Sequence, residues 1–148
     1  MSNFVWNTQL NHKLAKEIKK KYPKCKVIFG GLGNPNKNRL DNFLEENDYI
    51  DIVVNGEGEL TFEHILIESL KDEPNYKNVE GISTKDFITN DRQRIKDIDS
   101  MPSPYLDGLF DKLTLSSDET FEAPIESVRG CPYQCTFCEI GDKYFQKI

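Results

Sequence analysis

KVIFGG at residues 26–31 and IDIVVNG at residues 50–56 decide the fold of this chain. Each is a short run dominated by Val and Ile that ends at a glycine-containing turn. Such a run, almost without polar alternation, reads as a strand covered on both faces. Between the two, Leu40, Phe43 and Leu44 keep helical spacing. Upstream, Leu10, Leu14, Ile18 and Tyr22 fall four apart, which predicts a helix over residues 9–21 with Thr8 as its N-cap and Pro23 as its stop. Downstream, Leu60, Ile65, Leu66 and Leu70 predict the inner face of a third helix, closed by Lys71-Asp72-Glu73-Pro74. Strand, turn and helix in alternation imply an α/β fold, a parallel sheet flanked by helices. Phe4-Val5-Trp6 reads as the end of one further strand. About three strands are few for such a sheet, so the chain reads as starting partway through its fold.

The composition sets outer limits. The 148 residues carry 19 Lys+Arg and 25 Asp+Glu, a net charge of −6, and 37% are hydrophobic. Phe, Tyr, Ile, Leu and Val recur along most of the length, which argues against disorder. No apolar run approaches the about 20 residues that span a bilayer. The N-terminal MSNFVWNTQLNHK lacks the basic-then-apolar order of a signal peptide. The acidic balance speaks against a duplex nucleic-acid binder working by phosphate neutralisation. The basic run from Lys16 to Lys26 reads as a solvated helix face.

Beyond residue 74 the texture changes. Pro, Asp, Ser and Asn rise through residues 75–122, and only Gly81–Thr84 with Asp86–Thr89 reads as a small hairpin. This stretch is expected to be a connector. Ile125 to Val128 then reads as a short strand running straight into Arg129-Gly130-Cys131. Residues 1–74, 75–122 and 123–148 therefore divide the chain into a partial α/β domain, a connector and the opening of a second domain.

The chemistry concentrates at residues 129–141, RGCPYQCTFCEIG. Cys131, Cys135 and Cys138 have the spacing C-x3-C-x2-C. Three thiolates can hold three irons of a [4Fe–4S] cube and leave the fourth open to a substrate or cofactor. A zinc site would want a fourth ligand, for which the sequence offers Cys25, His12 or His64. A disulfide among the four cysteines and unligated thiols are the other readings. Three thiols crowded into eight residues suggest a reducing compartment, which makes the cytoplasm the default location. Cys25 otherwise reads as a small buried residue at a strand start, and His12 and His64 as ordinary helix residues.

RGCPYQCTFCEIG resembles the cluster loop of radical S-adenosylmethionine (radical SAM) enzymes, including the aromatic before the last cysteine, here Phe137. The strand Ile125 to Val128 resembles the first strand of their partial (β/α) barrel. The resemblance implies that Cys131, Cys135 and Cys138 ligate the cluster and that Phe137 contacts the adenine of S-adenosylmethionine. It implies that the open iron chelates that cofactor, whose reductive cleavage yields a 5′-deoxyadenosyl radical.

The first half resembles the Rossmann-like cobalamin-binding domain found N-terminal to many of these enzymes. Val5-Trp6-Asn7 before a helix, VIFGG at residues 27–31, DIVVNGEGE at residues 51–59 and PSPYLDGLFD at residues 102–111 carry the match. It implies that Gly30 and Gly31 let the corrinoid's nucleotide tail approach the backbone. Ser2, in Ser2-x-Phe4, matches a family Ser-x-Leu whose hydroxyl faces that tail. Gly56, Glu57 and Gly58 sit where ligands bind in parallel α/β sheets; Glu57 and Glu59 also suit a helix N-terminus electrostatically. Trp6 reads as core or as corrinoid-facing. The family's Asp-x-His-x-x-Gly pattern does not occur in this sequence, so a lower axial ligand is not assigned.

The expected function is part of a cobalamin-dependent radical SAM enzyme, with corrinoid as methyl carrier or auxiliary redox group. The expected partners are a small-molecule substrate and an electron donor such as flavodoxin or ferredoxin, without nucleic acid or membrane. This length of chain alone is expected to be inactive. The alternatives are a radical SAM methylthiotransferase, which would want three more cysteines in its first domain, and a non-catalytic module that holds corrinoid or cluster without turnover.

Overall fold

The computed structural model describes residues 1–35, 37–112, 120, 122–126, 128–131, 133 and 135–137. It divides into two units, Met1–Arg94 and Ile95–Ile148. The first unit is α/β and runs α1 (Thr8–Lys21), β1 (Ile28–Phe29), α2 (Leu40–Glu46), β2 (Ile52–Val54), α3 (Glu59–Ser69) and β3 (Ile82–Ser83). The sheet order is β1-β2-β3. β1 and β2 are parallel, with Ile28 opposite Ile52 and Phe29 opposite Val53. β3 is antiparallel to β2, with Val53 opposite Ser83 and Val54 opposite Ile82.

The sheet is therefore mixed, not purely parallel. Its third strand comes from the hairpin at residues 81–89, inside the stretch read as connector. Ser83 bridges Ile88 antiparallel, Thr89 N–H donates to Ile82 (3.0 Å) and Thr84 N–H to Phe87 (2.9 Å). On the far side of β1, the further strand pairs at Met1–Asn3 rather than at Phe4–Trp6. Ser2 bridges Gly30 in parallel, Asn3 N–H donates to Gly30 (2.6 Å) and Gly30 N–H to Met1 (3.0 Å). Phe4 to Asn7 instead turn the chain into α1: the Phe4 carbonyl accepts from Thr8 N–H at 2.9 Å and from the Thr8 hydroxyl at 2.6 Å. Thr8 is thus the first helical residue and not the cap, which is Asn7.

Alternation along the strands feeds two cores. On one face Phe29 and Val53 pack with Val27, Leu40, Leu44, Tyr49, Ile50 and Ala15, joined by Ile18 and Phe43. On the other Ile52, Val54 and Ile82 pack with Ile65 and Val79. So α1 and α2 cover one face and α3 the other. Asp51 ties α1 to the sheet. Its carboxylate accepts from Val27 N–H at 2.6 Å and pairs with Lys19 Nζ at 2.7 Å.

α2 turns inward the Leu40 and Leu44 that the spacing predicts, and Ile18 of α1 and Ile65 of α3 also pack inward, but other residues of the α1 and α3 stripes do not. On α1 the buried residue is Ala15, while Leu10, Leu14 and Tyr22 are exposed. On α3 Thr61, Ile65 and Glu68 are buried, whereas Leu66 and Leu70 are exposed. Periodicity reveals that a helix has an apolar stripe, but a small or hydrogen-bonded face can take the sheet when it packs closer. Trp6 is 78% exposed and stacks on Phe4 with centroids 4.7 Å apart, so it is not a core residue. Cys25 is also exposed, because the chain is not yet a strand there.

In the second unit a 3-10 turn spans Ile98–Ser100 and is capped by the Asp97 carboxylate, which accepts from Asp99 N–H. No strand pairing occurs at the described residues of 123–128. No helix among the described residues is long and apolar enough to cross a membrane.

Candidate functional site

Parallel strands present their carboxyl ends at one edge of a sheet, and the loops that leave that edge are free to meet a ligand. Here the pairing of Met1–Asn3, β1 and β2 brings three such loops to one edge: Asn3–Asn7, Gly30–Asn34 and Asn55–Glu59. Ser2, Gly30, Gly31, Gly56, Glu57 and Gly58, separated by up to 56 positions in the sequence, therefore share this edge.

The glycines there do different jobs. Gly31 has φ +92°, and a Cβ on it would lie 2.7 Å from the Asn3 carbonyl oxygen. A Cβ on Gly33 would lie 2.8 Å from the same oxygen and 2.9 Å from Phe4 Cα. The room left by these absent side chains is filled by the protein's own backbone. Gly30 differs, since the nearest atom to its Cβ position is Val54 Cβ at 3.8 Å. Gly58 has nothing within 4 Å. A Cβ would thus meet only ordinary contact at Gly30 and open space at Gly58, while at Gly31 it is barred by Asn3.

Asn3 is the centre of an asparagine network that the sequence reading missed. It is fully buried. Its backbone oxygen accepts from Gly33 N–H at 2.7 Å, and its Nδ2 donates to the Gly33 carbonyl and to Asn34 Oδ1, each at 3.2 Å. Asn11 Nδ2 donates to Asn3 Oδ1 (3.3 Å) and to the Ser2 carbonyl (2.9 Å). Asn7 Oδ1 accepts from Phe4 N–H at 2.8 Å, and Asn7 Nδ2 donates to the Ser2 carbonyl at 3.0 Å. The signal was present as Asn3, Asn7 and Asn11 at intervals of four. The network fixes the Gly30–Asn34 loop against α1.

Across the edge, Arg94 donates from Nε to Glu57 Oε1 at 3.4 Å, with side chains only 10% and 11% exposed. Arg92 Nε donates to the buried Thr61 hydroxyl at 2.9 Å, and its Nη2 meets His64 Nδ1 at 2.9 Å. Neither arginine was singled out by the sequence reading. His12 lies away from the edge, on α1, with its ring edge-on to Phe29, Phe43 and Tyr49. Burial, then the neighbouring Lys16 cation, holds its imidazole below the ordinary histidine range, so it rests neutral as a packing residue.

In the second unit Cys131 is half-buried and Cys135 exposed, both as free thiols. Phe137 is 90% exposed, and Arg129 pairs with Glu126 at 2.7 Å. Cys138 lies outside the described residues. Among the described residues no group of three His, Cys, Asp or Glu converges. Cys131 and Cys135 are soft sulfur donors of the kind that could ligate an iron–sulfur cluster.

No protein-family model matches the chain. Over 95% of its length it is 37% identical to the cobalamin-dependent radical SAM methyltransferase TokK of Streptomyces tokunonensis. Over the same share it is 36% identical to a 2-(S-pantetheinyl)-carbapenam-3-carboxylate methyltransferase of Streptantibioticus cattleyicolor. It is 33% identical over 85% of its length to an uncharacterized methyltransferase of Pyrococcus horikoshii. The chain spans 21% of the length of the first two and 27% of the third.

Proposed function

We propose, for a chain that is homologous over 95% of its length to a cobalamin-dependent radical SAM methyltransferase and to a carbapenam carboxylate methyltransferase, that it is part of a cobalamin-dependent radical SAM enzyme. The observation that carries this reading is that one continuous similarity covers both the α/β unit and the C-x3-C-x2-C loop. When bound, the cluster would supply the electron that cleaves S-adenosylmethionine, and the corrinoid would serve as methyl carrier or auxiliary redox group.

The chain's own residues bind and orient. Residues 123–148 open the radical SAM domain, with Cys131, Cys135 and Cys138 as cluster ligands and Phe137 against the adenine. Gly130 has φ +101°, a conformation that bends the backbone into the first ligand at no steric cost. In the α/β unit the corrinoid is met at the carboxyl edge of the sheet by Ser2, Gly30, Gly56 and Gly58, and the open space at Gly58 supports this. Gly31 acts through Asn3, as the partner that lets the loop close. The substrate is a small molecule, and a reduced flavodoxin or ferredoxin supplies the electron.

Anaerobic reconstitution tests the cluster. The chain should take up about four irons and four sulfides and show broad visible thiolate–iron absorption. Cys135→Ala should abolish both. An intact cube in that variant would remove Cys135 from the ligand set, and zinc without iron or sulfide in the parent would end the radical reading.

A further inference from the structure

The hairpin that follows β2 returns the chain to the carboxyl edge. Gly81 N–H donates to the Asn90 carbonyl at 2.7 Å, next to Asn55 N–H on the Gly81 carbonyl at 2.8 Å. Arg92 and Arg94 follow, two residues apart. Both turn back onto the β2–α3 loop and the first half of α3. Arg92 reaches Thr61 and His64, and Arg94 reaches Glu57. Two nearly buried guanidinium groups at the last residues of the first unit are a costly arrangement unless partners fix them.

We infer that Glu57 and Arg94 are a positioning pair that clasps the Gly56–Glu59 loop to residues 92–94 and so sets the shape of the edge at which the corrinoid binds. Glu57 acts on the ligand through Arg94 and the loop, not by touching it. A carboxylate nine-tenths covered beside a guanidinium has its charge answered within the protein, and a negative group would gain nothing beside a phosphate-bearing nucleotide tail. The clasp rests on the corrinoid reading only for its functional consequence; the pair itself is a feature of the fold.

The test uses the chain with hydroxocobalamin as probe, together with limited trypsinolysis without it. Glu57→Gln removes the charge that holds the Arg94 guanidinium and should loosen that side chain, speeding cleavage after Arg94 by about tenfold or more. Cleavage after Lys77, remote from the loop, should stay unchanged. Glu57→Gln and Arg94→Gln should each weaken hydroxocobalamin binding by about tenfold, and the double variant should be no weaker than either single within about twofold. An Arg94→Gln chain that binds as the parent while Glu57→Gln does not would make Glu57 a ligand contact and overturn the inference. Unchanged cleavage after Arg94, or a rise after Lys77 just as large, would overturn it too. If the parent does not bind hydroxocobalamin, the corrinoid reading fails, and the cleavage pattern alone decides the clasp.

Discussion

Replacing Gly31 by Ala should destabilise the first unit severely, whereas the same change one residue earlier should not. At Gly31 two costs coincide. The backbone sits at φ +92°, and a Cβ in that region costs about 1–2 kcal/mol. The Cβ would also stand 2.7 Å from the Asn3 carbonyl oxygen, a rigid backbone atom anchored on both sides by hydrogen bonds to the Gly30–Gly33 loop. Overpacking against such a neighbour costs about 1–3 kcal/mol. The expected loss is therefore about 2–5 kcal/mol, a large share of the about 5–14 kcal/mol available to a unit of this size. With a urea m-value of about 2 kcal/mol/M, the midpoint should fall by about 1–2.5 M. At Gly30 the nearest atom is 3.8 Å away, so Gly30→Ala should shift stability by less than about 0.5 kcal/mol. Urea titrations of both variants followed by far-UV circular dichroism decide the matter. Equal midpoints for Gly31→Ala and the parent would refute the assignment of Gly31 to Asn3. The pair also separates folding from binding: Gly30→Ala, which keeps the fold, should weaken hydroxocobalamin binding if the corrinoid approaches there.

Other consequences are as direct. Asp51→Ala should cost about 1–3 kcal/mol in the same titration, since it strips Val27 N–H and Lys19 of a charged acceptor; Lys19→Met should cost less, because Val27 keeps its partner. Glu68 has its pKa lowered from 4.5, first by the hydrogen bond from Lys71 and then by Asn75 N–H. Its contribution to stability is therefore fully present above the ordinary glutamate value and is lost as pH falls through the lowered folded value. Urea midpoints measured from about pH 6 down to about pH 3 should fall less steeply in Glu68→Gln than in the parent.

The α/β class was legible because the runs at 27–29 and 52–54 are too apolar and too short for anything but buried strands, and the helices between them have clear limits. The hairpin at 81–89 was legible too, from its turn residues. Its antiparallel docking on β2 was not, since strand partners far apart in sequence leave no local mark. The same limit applied to α1. Leu10 and Leu14 announce a stripe, but only the sheet determines that Ala15, with its smaller side chain, faces inward. At the edge, the glycine pairs were visible as glycines. What fills the space beside each depends on Asn3, 28 positions before Gly31, and no spacing rule connects the two.

The number of reversals after β2 fixes the pole of the domain from which the polypeptide departs. β3 runs away from the carboxyl pole and the arm through Ile88 brings it back, so the two cancel. Lengthening the tip between Lys85 and Asp86 would leave the departure point where it is. Removing one arm would shift it by the height of the sheet, about 10 Å for three extended residues, and would strand Arg92 and Arg94 at the wrong end. The modest hairpin therefore acts as a return path whose presence matters more than its length.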